Sequence, residues 1–341
     1  MCFEIDSGTL PRMPSAARLR TAGLYLLVVA IWGTTWIAIK ASVASVPPLT
    51  ASGLRFAIAF PLLAIIVARV PGASLRYPRG HGRLFALLTL AYFAAPYALM
   101  NVGGSLIPSG LSAVLFASVS LLIVALSVPI LGARISRRQA FGVGVALVAL
   151  AALIVNQTGI RGDVSPFGVL ALLGAAGLHA LVYVLLKRDA GAISPLTLNA
   201  LPMGVAAGLL CGAGLVFEHP DFTAVTSETV IALLYLGTVA SVAGFLAYFQ
   251  LLRRLGPVPL SLVFVLFPVV AQAVAVLGGE RAMGGLSFAL LALVLVASLI
   301  AISGGHEMDS GSRCAPRHRH RALRRVLSRP GRVSPRPRHA Q

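Results

Sequence analysis

"WGTTWIAIKASVASVPPLTASGLRF", residues 32 to 56, closes one long apolar stretch and opens another. It holds Trp32, Trp36 and Lys40, then the prolines 47 and 48, then Arg55. The flanking apolar residues neither alternate, as a barrel strand would, nor gather on one face. A helix of about twenty such residues rises about 30 Å, the thickness of a bilayer's hydrocarbon core. The stretch therefore reads as the junction of two membrane helices, and that reading fixes the fold class.

The remaining chain repeats the pattern. Of its 341 residues 57% are hydrophobic and 11% charged, whereas a soluble domain carries about 25% charged residues. Ten spans are expected, at 22–43, 49–68, 84–103, 108–131, 139–156, 167–187, 195–217, 229–252, 257–278 and 285–303. The fold expected is an all-α polytopic membrane protein, because a helix satisfies its own backbone in lipid. The longest connection, "RVPGASLRYPRGHGR" at 69–83, is rich in turn residues and arginine and leaves no room for a soluble domain. Cys2, Cys211 and Cys314 have neither disulfide-framework nor metal-ligand spacing. No cofactor or metal is expected.

Charge sets the orientation. Arg12, Arg18 and Arg20 precede the first span, and Arg69, Arg76, Arg79 and Arg83 follow the second. Arg134, Arg137, Arg138, Lys187, Arg188, Arg253, Arg254 and ten arginines after residue 303 complete that side, twenty-four cations in all. The other side has Arg161 and Arg281 beside Asp163, Glu218, Asp221, Glu228 and Glu280. Basic loops stay inside, so both termini are expected in the cytoplasm and the chain in the cell's inner or plasma membrane. A cleaved leader over residues 1–44, with "SVASV" as its cleavage site, is disfavoured: its apolar run is too long and nine more spans follow.

The two halves match without a gap at an offset of 147 residues. Lys40 meets Lys187, "PPLT" at 47–50 meets "SPLT" at 194–197, "LGAR" at 131–134 meets "GGER" at 278–281, and Trp32 meets His179. Five spans per half invert the second half relative to the first. Two inverted five-helix repeats are the architecture of alternating-access transporters, with a solute site between them near mid-membrane. The expected organisation is a cytoplasmic tail 1–21, repeat 22–156, outer loop 157–166, repeat 167–303 and a basic, disordered tail 304–341.

The opening stretch and "LRRLGPVPLSLVFVLFPVVAQAVAVLGGER" at 252–281 resemble the two signature regions of EamA-type transporters of the drug/metabolite transporter superfamily. The resemblance covers about residues 22 to 303 and implies ten helices, cytoplasmic termini and export of amino acids, metabolites or drugs. This chain departs from the pattern at Ala133, where the second half has Glu280, and at Leu121, where it has Pro268. His179 stands where the family often carries an aromatic residue.

Five residues are candidates for solute binding: Trp32, Trp36, Lys40, Arg55 and His179. Trp32, Thr35, Trp36, Ile39 and Lys40 share one side of the first span. Trp32 sits near mid-span, away from the interfaces where tryptophans anchor, as packing or as a cavity wall. Lys40 either snorkels to the headgroups or attracts an anion in an outer vestibule. Arg55 lies about 9 Å inside its span, where a charge must face protein or water; it can fork onto a carboxylate or bond backbone carbonyls. No Asp or Glu lies deep in any span, so His179 is the titratable group nearest mid-membrane, as a proton carrier or as a neutral inter-helix bond.

Other polar groups in the spans, Asn101, Tyr92, Tyr97, Tyr183, Tyr248 and Gln250, are candidate cavity residues that sequence cannot orient. Ser109, Ala113 and Ala117 form a small-residue line for close packing. Glu280 is expected to pair with Arg281 or to cap the tenth helix. The partners expected are a small-molecule solute, the bilayer, anionic lipids at the basic tail, and a second copy of the chain. The tail's arginines have no interleaved aromatics, so nucleic acid is not expected.

The function this composes is a secondary transporter, since no GxxxxGK[ST] phosphate cradle is present. A facilitative channel or lipid scramblase is the nearer alternative. An intramembrane serine hydrolase, with Ser112 of "GLSA" and His179 as its dyad, is the more remote one; the repeat argues against an enzyme.

Overall fold

The computed structural model describes residues 15–133, 135–161, 164–189, 193–255 and 263–303. Ten long helices run through them, with one short 3-10 turn at Phe222–Ala224. They are α1 (Ser15–Ser42), α2 (Pro48–Arg69), α3 (Gly82–Leu106), α4 (Ser109–Leu131) and α5 (Arg137–Arg161). They continue with α6 (Pro166–Asp189), α7 (Pro195–Phe217), α8 (227–255), α9 (Val263–Leu277) and α10 (Gly285–Ser303). No strand occurs among the described residues. Helices α1 to α8 are long and apolar enough to cross a membrane, and α9 and α10 are shorter apolar helices. The expected ninth span began at 257, but residues 256–262 lie outside the described residues.

Two helices run past the spans read from sequence. Helix α1 already includes Ser15, the first described residue, within the expected tail; Ala16 to Arg20 are good helix formers, and charge ends a span without ending a helix. Helix α5 runs to Arg161, inside the expected outer loop. Asn156 and Gln157 both donate to Ser287 Oγ of α10, at 2.6 and 3.1 Å, which holds that last part of α5 in place. The expected disordered tail 304–341 lies outside the described residues.

The helices pack in matched pairs. Helix α2 lies on α7 and α5 on α10, while α6 holds α3 and α4 as α1 holds α8 and α9. Exchanging each helix for the one five places along the chain reproduces the same set of pairs. Close crossings need glycine: a Cβ on Gly53 of α2 would come within 2.6 Å of the backbone of Cys211 in α7. The small-residue line behaves as expected, with Ser109, Ala113 and Ala117 all buried in α4.

Several helices start at proline, whose fixed φ suits the first turn and whose missing N–H loses nothing there. At α2 no local side chain caps the turn; Glu218, at the end of α7, accepts from Leu49 N, Thr50 N and Thr50 Oγ at 2.8 to 2.9 Å. Glu280, just after α9, likewise accepts from Ser109 N of α4 at 2.9 Å. A carboxylate at a helix N-terminus satisfies orphan amides and meets the positive end of the dipole. Here each cap also ties two distant segments at one end of the bundle.

Helices α3 and α8 each widen into a π segment, at Leu88–Ala94 and Leu236–Ala243. In α3 the cause is Pro96, which lacks an N–H and whose ring crowds the carbonyl four residues back, at Tyr92. In α8 Thr238 Oγ donates to Leu234 O at 2.6 Å and competes with the ladder. Such bulges turn side chains that a regular helix would place elsewhere.

Candidate functional site

Between the helices lies a cavity of about 60 Å³ whose wall includes Trp32, Trp36, Arg55, Tyr92, Tyr97 and His179. On that measure it holds about four waters. Its wall is chiefly aromatic, completed by Phe116, Tyr183, Phe245, Phe264 and Phe267, with Thr35, Met100 and Ala240. Four of the five expected solute residues therefore meet at one place. The fifth, Lys40, does not reach it.

Trp32 and Trp36, one turn apart on α1, face the same space. Trp32 packs at a tilt against Tyr248 and Phe264, with ring centroids 5.0 and 5.6 Å away, and Trp36 against Phe116 at 5.3 Å. Such pairs fix ring orientation and add about 0.5–1.5 kcal/mol beyond area burial. Both tryptophans thus serve as packing and as wall.

Arg55 is buried at 4% exposure, and no carboxylate pairs with it among the described residues. Its Nε donates to Ser241 Oγ at 2.9 Å, and its guanidinium carbon lies 4.9 Å from the Tyr97 ring centroid. Hydroxyl and π-face offset part of the cost of burying the charge. Its Nη groups make no hydrogen bond to the protein among the described residues, so donors of a fixed cation remain on an apolar wall.

His179 is buried, with Nδ1 donating to Ala175 O one turn back at 3.0 Å. A carbonyl only accepts, so Nδ1 carries a proton. Nε2 has no protein hydrogen bond among the described residues and is left for the cavity. The rings of Tyr92, Phe116 and Tyr97 surround it at 4.9, 5.2 and 5.7 Å. Tyr92 and Tyr183 bond each other through their hydroxyls at 3.0 Å. The histidine–serine dyad has no support: Ser112 Oγ donates to Pro108 O at 3.0 Å, and no hydrogen bond joins it to His179.

Lys40 pairs with Glu280, Nζ to Oε1, at 2.8 Å. This corrects one expectation, a Glu280 engaged with Arg281 or α10. The reason is tertiary: α9 packs on α1 and brings the turn after it to the end of α1. Lys40, Glu280 and Arg281 border a separate opening of about 300 Å³ with Gln157, Gln272 and Met283.

Of the residues that sequence left unoriented, Tyr92, Tyr97 and Tyr183 line the cavity. Asn101 instead donates to Pro48 O and Ser52 Oγ and joins α3 to α2, and Gln250 is exposed. Sequence reasoning missed Ser241 altogether. Its signal was faint: a serine among small residues, "LGTVASVA", whose π turn aims it at Arg55.

Comparison with known proteins agrees with this site's setting. The chain matches the EamA-like transporter family over residues 19–155 and again over 166–303. The second match begins 147 residues after the first, at the offset that pairs Trp32 with His179. "Protein PagO" of Salmonella typhimurium is 34% identical over 248 residues, 73% of this chain and 81% of its own. A "Probable amino-acid metabolite efflux pump" of Escherichia coli (strain K12) is 28% identical over 82% of this chain and 94% of its own length. A crystal structure 22% identical in sequence shares the fold with a TM-score of 0.59, over 83% of this chain and 97% of that one. A polytopic helical chain that matches one transporter family twice is a multi-pass membrane transporter, and it belongs to the EamA-like transporter family.

Proposed function

We propose that the protein is a secondary transporter of ten spans in two inverted repeats, exporting a small solute across the inner membrane by alternating access. Both termini are cytoplasmic in this reading. The solute is an amino acid, a related metabolite or a drug-like molecule with a carboxylate and an apolar body. Trp32, Trp36, Arg55 and His179 bind it, and Lys40 guides it at the outer mouth.

One observation carries the reading: a buried, carboxylate-free Arg55 with unused donors on an aromatic wall. Such a charge is costly in a membrane and persists where it has work with an anion or water. The guanidinium suits a carboxylate bidentately, and the rings suit an apolar side chain. The efflux role printed for the Escherichia coli relative gives amino-acid metabolites first place among solutes. The exchangeable packing pairs favour two equivalent rocking halves. At about 60 Å³ the cavity is too small for such a solute, so binding must widen it.

The test is flux into proteoliposomes holding the purified full chain, with a panel of radiolabelled amino acids and drugs. Saturable flux of a carboxylate-bearing solute that responds to an imposed ion gradient is expected. Flux that ignores every gradient and does not saturate would establish a channel or scramblase instead.

A further inference from the structure

We infer that Lys40 and Glu280 form a latch that closes the outer end of the transporter, and that the inner end lacks its counterpart. The resting protein then favours the state whose cavity opens to the cytoplasm. The inference rests on the alternating-access reading above.

Glu280 grips two segments at once. Its Oε1 accepts from Lys40 Nζ at the end of α1, and Oε2 accepts from Ser109 N at the start of α4, at 2.8 and 2.9 Å. A turn after α9 presents it: Gly279 takes φ +86°, and Glu280 N donates back to Ala275 O at 2.9 Å. One carboxylate thus closes the ends of α1, α4 and α9 on each other. Its side chain is 14% exposed and that of Lys40 43%, so water screens the pair only in part. Parting α1 from α9 at this end must break the pair.

A left-handed glycine recurs 147 residues earlier. Gly132 takes φ +64° after α4, and Ala133 N donates back to Ser127 O at 3.2 Å, one residue further back than the bond of Glu280 N. Lys187 ends α6 as Lys40 ends α1, and α6 packs on α4 as α1 packs on α9. Left-handed glycine, helix pairing and lysine are all repeated; the carboxylate is not, because residue 133 is alanine. Inversion of the halves puts this second site at the opposite, cytoplasmic end. The outer end has an ion pair at this turn; at the equivalent turn of the other end the sequence supplies no carboxylate.

The test uses a cysteine reporter, Ala240→Cys, in the wall of the cavity, with Cys2, Cys211 and Cys314 replaced by serine in the full chain. A membrane-impermeant maleimide is applied to right-side-out and to inside-out vesicles. Lys40→Gln keeps the Glu280 cap on α4 and removes only the pair. It should raise the ratio of outer to inner labelling about tenfold, within the usual range of coupling between states. Glu280→Gln should do the same, and the double variant no more than either. Ala133→Glu should also raise the ratio, by latching the inner end, and should lose its effect when Lys187 becomes Gln. An unchanged ratio in Lys40→Gln overturns the latch, as does an Ala133→Glu effect indifferent to Lys187. Labelling that rises from both sides together in these variants is a leak, and would overturn alternating access and the latch with it.

Discussion

Arg55 Nε donates to Ser241 Oγ across 2.9 Å, and this bond joins the middle of α2 to the π segment of α8. It holds Nε and leaves the Nη groups for the cavity. Arg55→Lys keeps the charge but loses the planar fork that lies over the Tyr97 ring. Transport of a carboxylate-bearing solute should fall more than tenfold, about 1.4 kcal/mol, at matched protein levels in vesicles. Transport equal to the parent would make Arg55 a structural anchor only.

Ser241→Ala is the companion change. It removes one hydrogen bond of about 1 kcal/mol without altering the charge. The half-saturation concentration should rise about fivefold, with the maximal rate little altered. A fall in maximal rate alone would point to the π segment as a moving part and away from Ser241 as a positioning residue.

Trp32 and His179 should behave as a pair. Both line the cavity although they lie on α1 and α6. A cysteine at either position should react with a small water-soluble thiol reagent, and a transported solute should slow both reactions. If neither is labelled in any condition, the two serve only as packing.

Glu218 carries a prediction about stability. It satisfies two backbone amides and one hydroxyl at the start of α2. Glu218→Ala should cost about 1–2 kcal/mol, as helix-cap losses do, seen as a lower thermal midpoint in detergent. Arg55 lies two turns further along α2, so solute affinity should drop less than stability.

Reporter fusions check the orientation. A fusion after residue 161 should report the outside and one after residue 190 the cytoplasm. The reverse pattern would overturn the inverted-repeat arrangement and the placing of Lys40 at the outer end.

The sequence by itself determined the helices and the relation between the halves. Apolar runs of about twenty residues have one solution in lipid, so α7 was delimited to the residue. A fixed offset also marks equivalent positions, so Trp32 and His179 could be paired before any contact was known. Even Arg55 announced itself, because a deep charge is expensive anywhere in a membrane. The tertiary structure alone decided the partners. That Ser241 turns toward Arg55 depends on a π bulge, set by a side-chain hydroxyl competing for a carbonyl rather than by apolar periodicity. That Lys40 meets Glu280, 240 residues on, depends on α9 packing against α1. Periodicity tells which face of a helix is apolar; it does not tell which helix covers that face. In this chain apolar surface goes nearly all the way round each span, so only the packing of glycines and rings selected the neighbour, and with it the site.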